Sequence, residues 1–301
     1  MELLKKGWKM KSGIFALWVS FISNLILTLL KLIIGLLFQS QVLIADGFHN
    51  AGDVIATLAA LISSKVAKKP ADDEHPYGHG KAEVIASGIV AIILAFAAVF
   101  MAYQSIAAFF LPPVEASLIA LITALISLVW KQALYFYCIR LGKAQHSKSL
   151  ISTAIDHLAD VYATIAAIIG IGIALLGDEY NIAFAKYGDP IAGIIVSLFV
   201  MKLAYEMGKE SVDILMERNI SFNDLNELRK IVNEFPEVKR IDKIRGREHG
   251  HYIIVDIRIS IPNELSIQEG HDLGRKIKTR IMSKNPRVEE VLIHLNPWHN
   301  E

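Results

Sequence analysis

The chain has 301 residues, of which 53% are hydrophobic, and its 31 basic and 30 acidic side chains leave a formal net charge of +1. With a mean hydropathy of +0.41, that much apolar mass excludes an ordinary soluble domain and points to a membrane protein. The single cysteine, Cys138, excludes a disulfide framework and any multi-cysteine zinc knuckle, and reads as a small buried apolar residue.

Residues 1–11 are basic. The apolar run after them is longer than a signal-peptide core and lacks a clear small-residue cleavage site, so it reads as a retained first span. Six apolar stretches emerge in order, at 13–37, 43–66, 84–110, 118–139, 150–176 and 190–207, each close to the ~20 residues needed to cross a bilayer. Basic residues gather before the first span (Lys5, Lys6, Lys9, Lys11), around the second connection (Lys65, Lys68, Lys69, Lys81) and in the fourth (Arg140, Lys143, Lys148). The connections at 38–41, around Pro112, Pro113 and Glu115, and at 178–189 hold only Lys186. This bias predicts that both termini are cytoplasmic, in an integral protein of the cell membrane embedded in its lipids. From about Lys209 the chain turns charged and alternating. Helical spacing at 221–235, opened by Ser221 or Asn223, is followed by strand-like alternation at 238–245 and 251–261, a helix at 266–283 and a strand at 288–295. The expected fold class is an α-helical membrane protein, with six transmembrane helices in residues 1–208 and a small cytoplasmic α+β domain, ferredoxin-like in its α-β-β-α-β order, in 209–301.

Two acidic runs interrupt the spans: Asp46-Gly-Phe-His49-Asn50-Ala-Gly-Asp53 in the second and Asp156-His157-Leu-Ala-Asp160 in the fifth. Ionisable side chains are costly in a membrane and usually functional there. Positions i and i+4 share one helix face, so His49 with Asp53, and Asp156 with Asp160, each project a pair of ligands in one direction. Asp46 with Asn50 is an alternative pairing at the same spacing. Two such helices packed together would enclose three carboxylates and one imidazole, the donor set of a divalent-metal site. Lys31, a cation within the first span, either neutralises Asp46 or snorkels. Asn24 and Asp189 read as packing and capping residues, and Gly170, Gly172 and Gly193 as sites of close helix approach.

With these features the chain resembles the cation diffusion facilitators. The likeness rests on six spans, paired ligands on the second and fifth, a second connection reading Asp72-Asp73-Glu74-His75-Pro76-Tyr77-Gly78-His79, and a carboxy-terminal domain of the expected order. It implies a homodimeric exporter of divalent transition metals driven by inward proton flow, with His49, Asp53, Asp156 and Asp160 as the transport ligands. It also implies a second metal site at Asp72, His75 and His79, in a loop that Pro76 and Gly78 shape as a turn. A lysine at position 81 would pair with Asp213 and lock the dimer, and Asp242, Asp256, His271 and His294 would bind metal between two cytoplasmic domains, which regulate and dimerise. Asn296 stands where some relatives carry an acid, and Asp242 and Asp256 where some carry histidine, which leaves a reduced or absent metal load open. His249, His251 and His299 read as solvated loop or tail residues.

The ligand types carry their own proton coupling. Metal binds only deprotonated carboxylate and neutral imidazole, so loading releases protons and acidification releases metal, and an ordinary imidazole titrates near ~6.5. Three carboxylates and one imidazole make a harder donor set than two of each, which leaves zinc and manganese as leading substrates, with iron(II), cobalt and cadmium behind them. No organic cofactor and no nucleic-acid partner are expected. A passive cation channel lined by acids is the alternative. An intramembrane metallohydrolase is a further one, but no HExxH motif occurs and no enzymatic activity is expected.

Overall fold

The computed structural model describes residues 2–111, 116–145, 148–180 and 182–299; the connection at Pro112, Pro113 and Glu115 lies outside them. Six long helices come first: α1 (Glu2–Leu37), α2 (Gln41–Ala67), α3 (Lys81–Ala107), α4 (Leu118–Gln145), α5 (Lys148–Glu179) and α6 (Gly188–Leu215). Five of the six expected spans fall within one of them; the third, expected at 84–110, runs past the end of α3 into a short 3-10 turn at Ala108–Phe110. The helices outrun the apolar stretches because polar end turns continue the backbone ladder, so α3 starts at Lys81 and α6 reaches Leu215. Among the described residues, five helices are long and apolar enough to cross a membrane. The sixth, α2, has matching length, but the run from Asp46 to Asp53 lowers its hydropathy.

After α6 come α7 (Phe222–Val232), β1 (Arg240–His249), β2 (Tyr252–Pro262), α8 (Ile267–Lys284) and β3 (Val288–Trp298). The chain forms two compact units, Met1–Ala59 with Ile89–Met207, and Ala60–Gly88 with Gly208–Glu301. The loop joining α2 to α3 therefore belongs with the carboxy-terminal elements.

In the first unit, α4 packs on α5 and α1. Alanines recur through the core beside larger side chains such as Leu43, Leu94, Met101 and Ile171: Ala45 on α2, Ala98 on α3, Ala120 and Ala124 on α4, Ala167 on α5, and Ala192 and Ala204 on α6. Spacings of four residues, as in Ala192, Val196, Val200 and Ala204, keep this seam on one face. Small side chains let helix backbones approach closely, which is how helices without a hydrophobic driving force associate in lipid. Gly170 shows how close: a Cβ there would stand 2.2 Å from that of Ala192. At Gly172 a Cβ would meet nothing within 4 Å, so close approach does not explain that glycine.

In the second unit, β1 pairs antiparallel with β2 and β2 parallel with β3, in the order β1-β2-β3. Alternation along β2 sends Ile253, Val255, Ile257, Ile259 and Ile261 to one face. Leu273, Ile277 and Ile281 of α8, four residues apart, and Leu228, Ile231 and Val232 of α7 cover that face. Ser221 caps α7, and Ser266 with Glu269 forms a complete capping box on α8.

Candidate metal-transport site

Helices α2 and α5 bring His49 and Asp160 together, with Nε2 3.3 Å from Oδ1 and both residues buried. Two donors each ~2.1 Å from one metal ion stand roughly 3.0–3.4 Å apart, so this pair already has the separation of two ligands of one ion. Asp53, one turn along from His49, is half-buried, and Asp156, one turn before Asp160, is exposed. Both carboxylates lie within electrostatic range of Asp160. No three of these four donors fall within 4.8 Å of one another among the described residues. The structure thus joins one candidate ligand from each helix and leaves the other two more open.

Lys31 on α1 is fully buried and meets Asp46 Oδ2 at 2.7 Å, while Thr164 donates to the same oxygen at 3.1 Å. Of the two roles open to Lys31, neutralising Asp46 is the one observed. With its amide turned to suit its neighbours, Asn50 donates to Asp160 Oδ1 (3.3 Å) and accepts from Lys31 Nζ (3.2 Å). The alternative pair is therefore engaged in a network beside His49: Asp46 with a protein cation, Asn50 as a bridge.

The loop at 72–79 holds a second cluster. Asp72 Oδ1 lies 3.3 Å from His75 Nδ1, and Asp72 Oδ2 lies 3.4 Å from His79 Nε2. One donor atom from each of the three residues fits within 4.8 Å, the one such group among the described residues. The His75 main-chain N–H donates to Asp72 at 2.7 Å and is the chief reason its carboxyl lies below the usual range. His79 Nδ1 lies 3.2 Å from the Pro70 carbonyl. Since a carbonyl only accepts, Nδ1 carries the proton and Nε2 keeps its lone pair for a metal. Gly78, at φ +84°, supplies the turn.

This loop packs on the β1–β2 turn. Tyr252 Oη donates to the Tyr77 carbonyl, and the Arg247 guanidinium sits 5.8 Å from the Tyr77 ring centre. A Cβ at Gly80 would stand 2.0 Å from the His249 carbonyl oxygen. His249, expected in solvent, is buried here against Tyr252, with a hydrogen bond to the Gly78 main chain. His251 and His299 are exposed as expected. The Lys81 pairing also differs within the chain: Lys81 Nζ meets Glu217 at 3.2 Å, and Asp213 meets Arg218 at 2.9 Å. Glu217 lies four residues after Asp213, and Arg218 is near enough to claim the earlier acid.

On the face of the sheet away from the helices, Asp242 accepts from Asn296 (2.9 Å), Ser260 (2.8 Å) and Arg240 (2.6 Å), with Asn296 the main cause of its lowered pKa. Asn296 Oδ1 lies 3.1 Å from His294 Nε2, so this amide links Asp242 to His294. Asp256 pairs with Arg247 at 2.9 Å, and His271 on α8 lies 3.2 Å from Arg275. Within one chain the four do not form one cluster.

Comparison with known proteins agrees with this architecture. The family description "cation efflux transmembrane domain" matches residues 17–216, and "cation efflux protein, cytoplasmic domain" matches 220–298. The chain belongs to the cation diffusion facilitators. The helical unit is therefore a transmembrane domain that includes α2, and the α+β elements are its cytoplasmic domain. Similar facilitators include the manganese efflux system protein MneP of Bacillus subtilis (strain 168), 42% identical over 283 residues, covering 94% of this chain and 95% of that protein. MneS of the same organism, also described as a manganese efflux system protein, is 31% identical over 96% of this chain and 97% of its own. The magnetosome protein MamB of Magnetospira sp. (strain QH-2) is 29% identical over 93% of this chain and 94% of its own.

Several residues around the facilitator's buried cluster escaped sequence reasoning. Lys131 on α4 is fully buried, donates to Asp160 Oδ2, and donates to Asn24 Oδ1 at 2.8 Å. The rule that singled out Lys31 applies equally to Lys131, which sits inside an apolar stretch. Asn24, read as a packing residue, is an acceptor for that lysine. His157 is buried, with Nε2 2.6 Å from Ser20 Oγ and Nδ1 3.8 Å from Asp160 Oδ2. Its adjacency to Asp156 was visible, but its face was not.

Proposed function

We propose that this facilitator exports a divalent transition metal from the cytoplasm in exchange for protons, with His49, Asp53, Asp156 and Asp160 as transport ligands and manganese as the leading substrate, ahead of zinc. The observation that carries this reading is the 3.3 Å approach of His49 to Asp160, one ligand from each of two helices meeting away from lipid. The donor set favours a comparatively hard ion, and the manganese efflux descriptions of MneP and MneS point the same way. Proton exchange follows because each ligand must shed its proton to bind metal and regains it on release. Residues 1–208 carry transport; 209–301 dimerise two copies and regulate them, with both termini in the cytoplasm of a plasma-membrane protein. Asp72, His75 and His79 suit a bound divalent ion in donor type and spacing. Asp242 and His294, joined by Asn296, offer one copy's share of an interdomain site.

The test uses the full chain in sealed vesicles with an imposed pH difference, challenged with manganese, zinc, iron(II), cobalt and cadmium in turn. Metal moving against its own gradient, and lost by more than about a hundredfold in Asp160→Ala, is the expected outcome. Metal that only runs down its gradient identifies a channel and overturns antiport.

A further inference from the structure

Asp160 is shared unequally. Its Oδ1 faces α2, toward His49 (3.3 Å) and the Asn50 amide (3.3 Å). Its Oδ2 accepts from the ammonium of Lys131, with His157 standing 3.8 Å off. Lys131 is fully buried and held from its other side by Asn24 at 2.8 Å, so the charge cannot swing out to water. Lys31 is already matched to Asp46 and does not serve this purpose.

The geometry points to Lys131 as a fixed counter-charge of the transport site, a role resting on the ligand assignment above: it withholds Oδ2, so Asp160 offers the ion one oxygen, and it brings the loaded site to neutrality. Three carboxylates, one ammonium and one divalent ion cancel. Without the ammonium the loaded site keeps one uncompensated negative charge in a low-dielectric surrounding, where such a charge strengthens its grip on a cation. Carboxylate oxygens also coordinate in pairs when free to do so, and a carboxylate held at one oxygen by an ammonium binds through the other. Both effects weaken binding and ease release. Lys131 is thus a positioning residue that exchanges some affinity for turnover.

The charge and the hydrogen bond are separable. Lys131→Gln keeps a donor toward Asp160 and loses the charge; Lys131→Arg keeps the charge. In the full chain, reconstituted in a His79→Ala background to silence the loop cluster, Lys131→Gln is expected to bind manganese about tenfold tighter or more while maximal transport falls about tenfold. Lys131→Arg, which keeps the charge but presents it as a wider fork, is expected to bind manganese no tighter than the parent. Equal or weaker binding in Lys131→Gln, transport at the parent's rate, or an arginine variant that behaves like the glutamine one overturns the proposal. Should Lys131→Gln fail to fold, Asn24→Ala carries the test, since an ammonium relieved of its second acceptor leans wholly on Asp160. Binding about tenfold weaker supports the proposal, and unchanged binding overturns it. His49→Ala and Asp53→Ala, run in parallel, test the ligand assignment itself: if they bind and transport normally, that assignment fails whatever Lys131 does.

Discussion

The buried cluster of α2 and α5 and the exposed cluster at 72–79 use the same two donor types, aspartate and histidine, but hold them in opposite ways. Inside the membrane domain Asp46 and Asp160 each have a lysine partner. In the loop, Asp72 faces two imidazoles directly, oriented by main-chain groups at His75 and Pro70. Burial accounts for the contrast. A bare carboxylate in a low-dielectric interior costs several kcal/mol, so the membrane acids need internal partners when no metal neutralises them. Exposed acids are solvated by water, and the loop can keep three donors converging without a protein cation among them.

That contrast can be broken most forcefully at Lys31. Lys31→Met leaves Asp46 buried and unpaired, and is expected to cost ~3–5 kcal/mol of stability. The double variant Lys31→Met with Asp46→Leu should recover most of it, as read by thermal unfolding in detergent. If the single change is silent, burial does not govern these acids.

Gly80→Ala sharpens the loop side of the comparison. A Cβ pressed to 2.0 Å from the His249 carbonyl forces main chain apart, at an expected ~1–3 kcal/mol. Faster amide exchange at 249–252, with the membrane helices unchanged, is the expected signature; unchanged exchange there means the turn does not bear on the loop.

The smallest effect concerns pH. Burial is the main reason the His249 pKa lies below its ordinary value, opposed by its bond to the Gly78 main chain. The docked ring therefore favours its neutral form. Docking is at full strength above ~6.5 and weakens as pH falls below it, because the undocked ring takes up the proton first. Exchange protection at 249–252 should drop on acidification, and His249→Asn should abolish that dependence. Protection that rises in acid reverses the sign.

Much of this was legible in the sequence because local rules suffice for it. Ser266 and Glu269 announce the start of α8, β2 alternates its isoleucines, and polar pairs at i, i+4 mark α2 and α5. What escaped depends on which helix faces which. Lys131 carries no local sign of pointing at Asp160, which lies 29 positions away on the next helix. Asp213 and Glu217 lie four residues apart on one run of chain, so periodicity does not separate them as partners of Lys81. The burial of His249 follows from a contact with Gly78, more than a hundred and fifty positions earlier, which no sequence window contains.

The alanines in the seam of the membrane helices bear on how they can move. Helices locked by large interdigitating side chains must lift those knobs out of their sockets before sliding, whereas packed helices shear past one another through small displacements. At Ala98, Ala120, Ala124, Ala167, Ala192 and Ala204 there is no knob to lift, whereas Leu94, Met101, Ile171, Val196 and Val200 in the same core supply some. The alanine positions therefore resist an axial slip less than their larger neighbours do, and bulkier side chains introduced there would act as brakes on any such displacement.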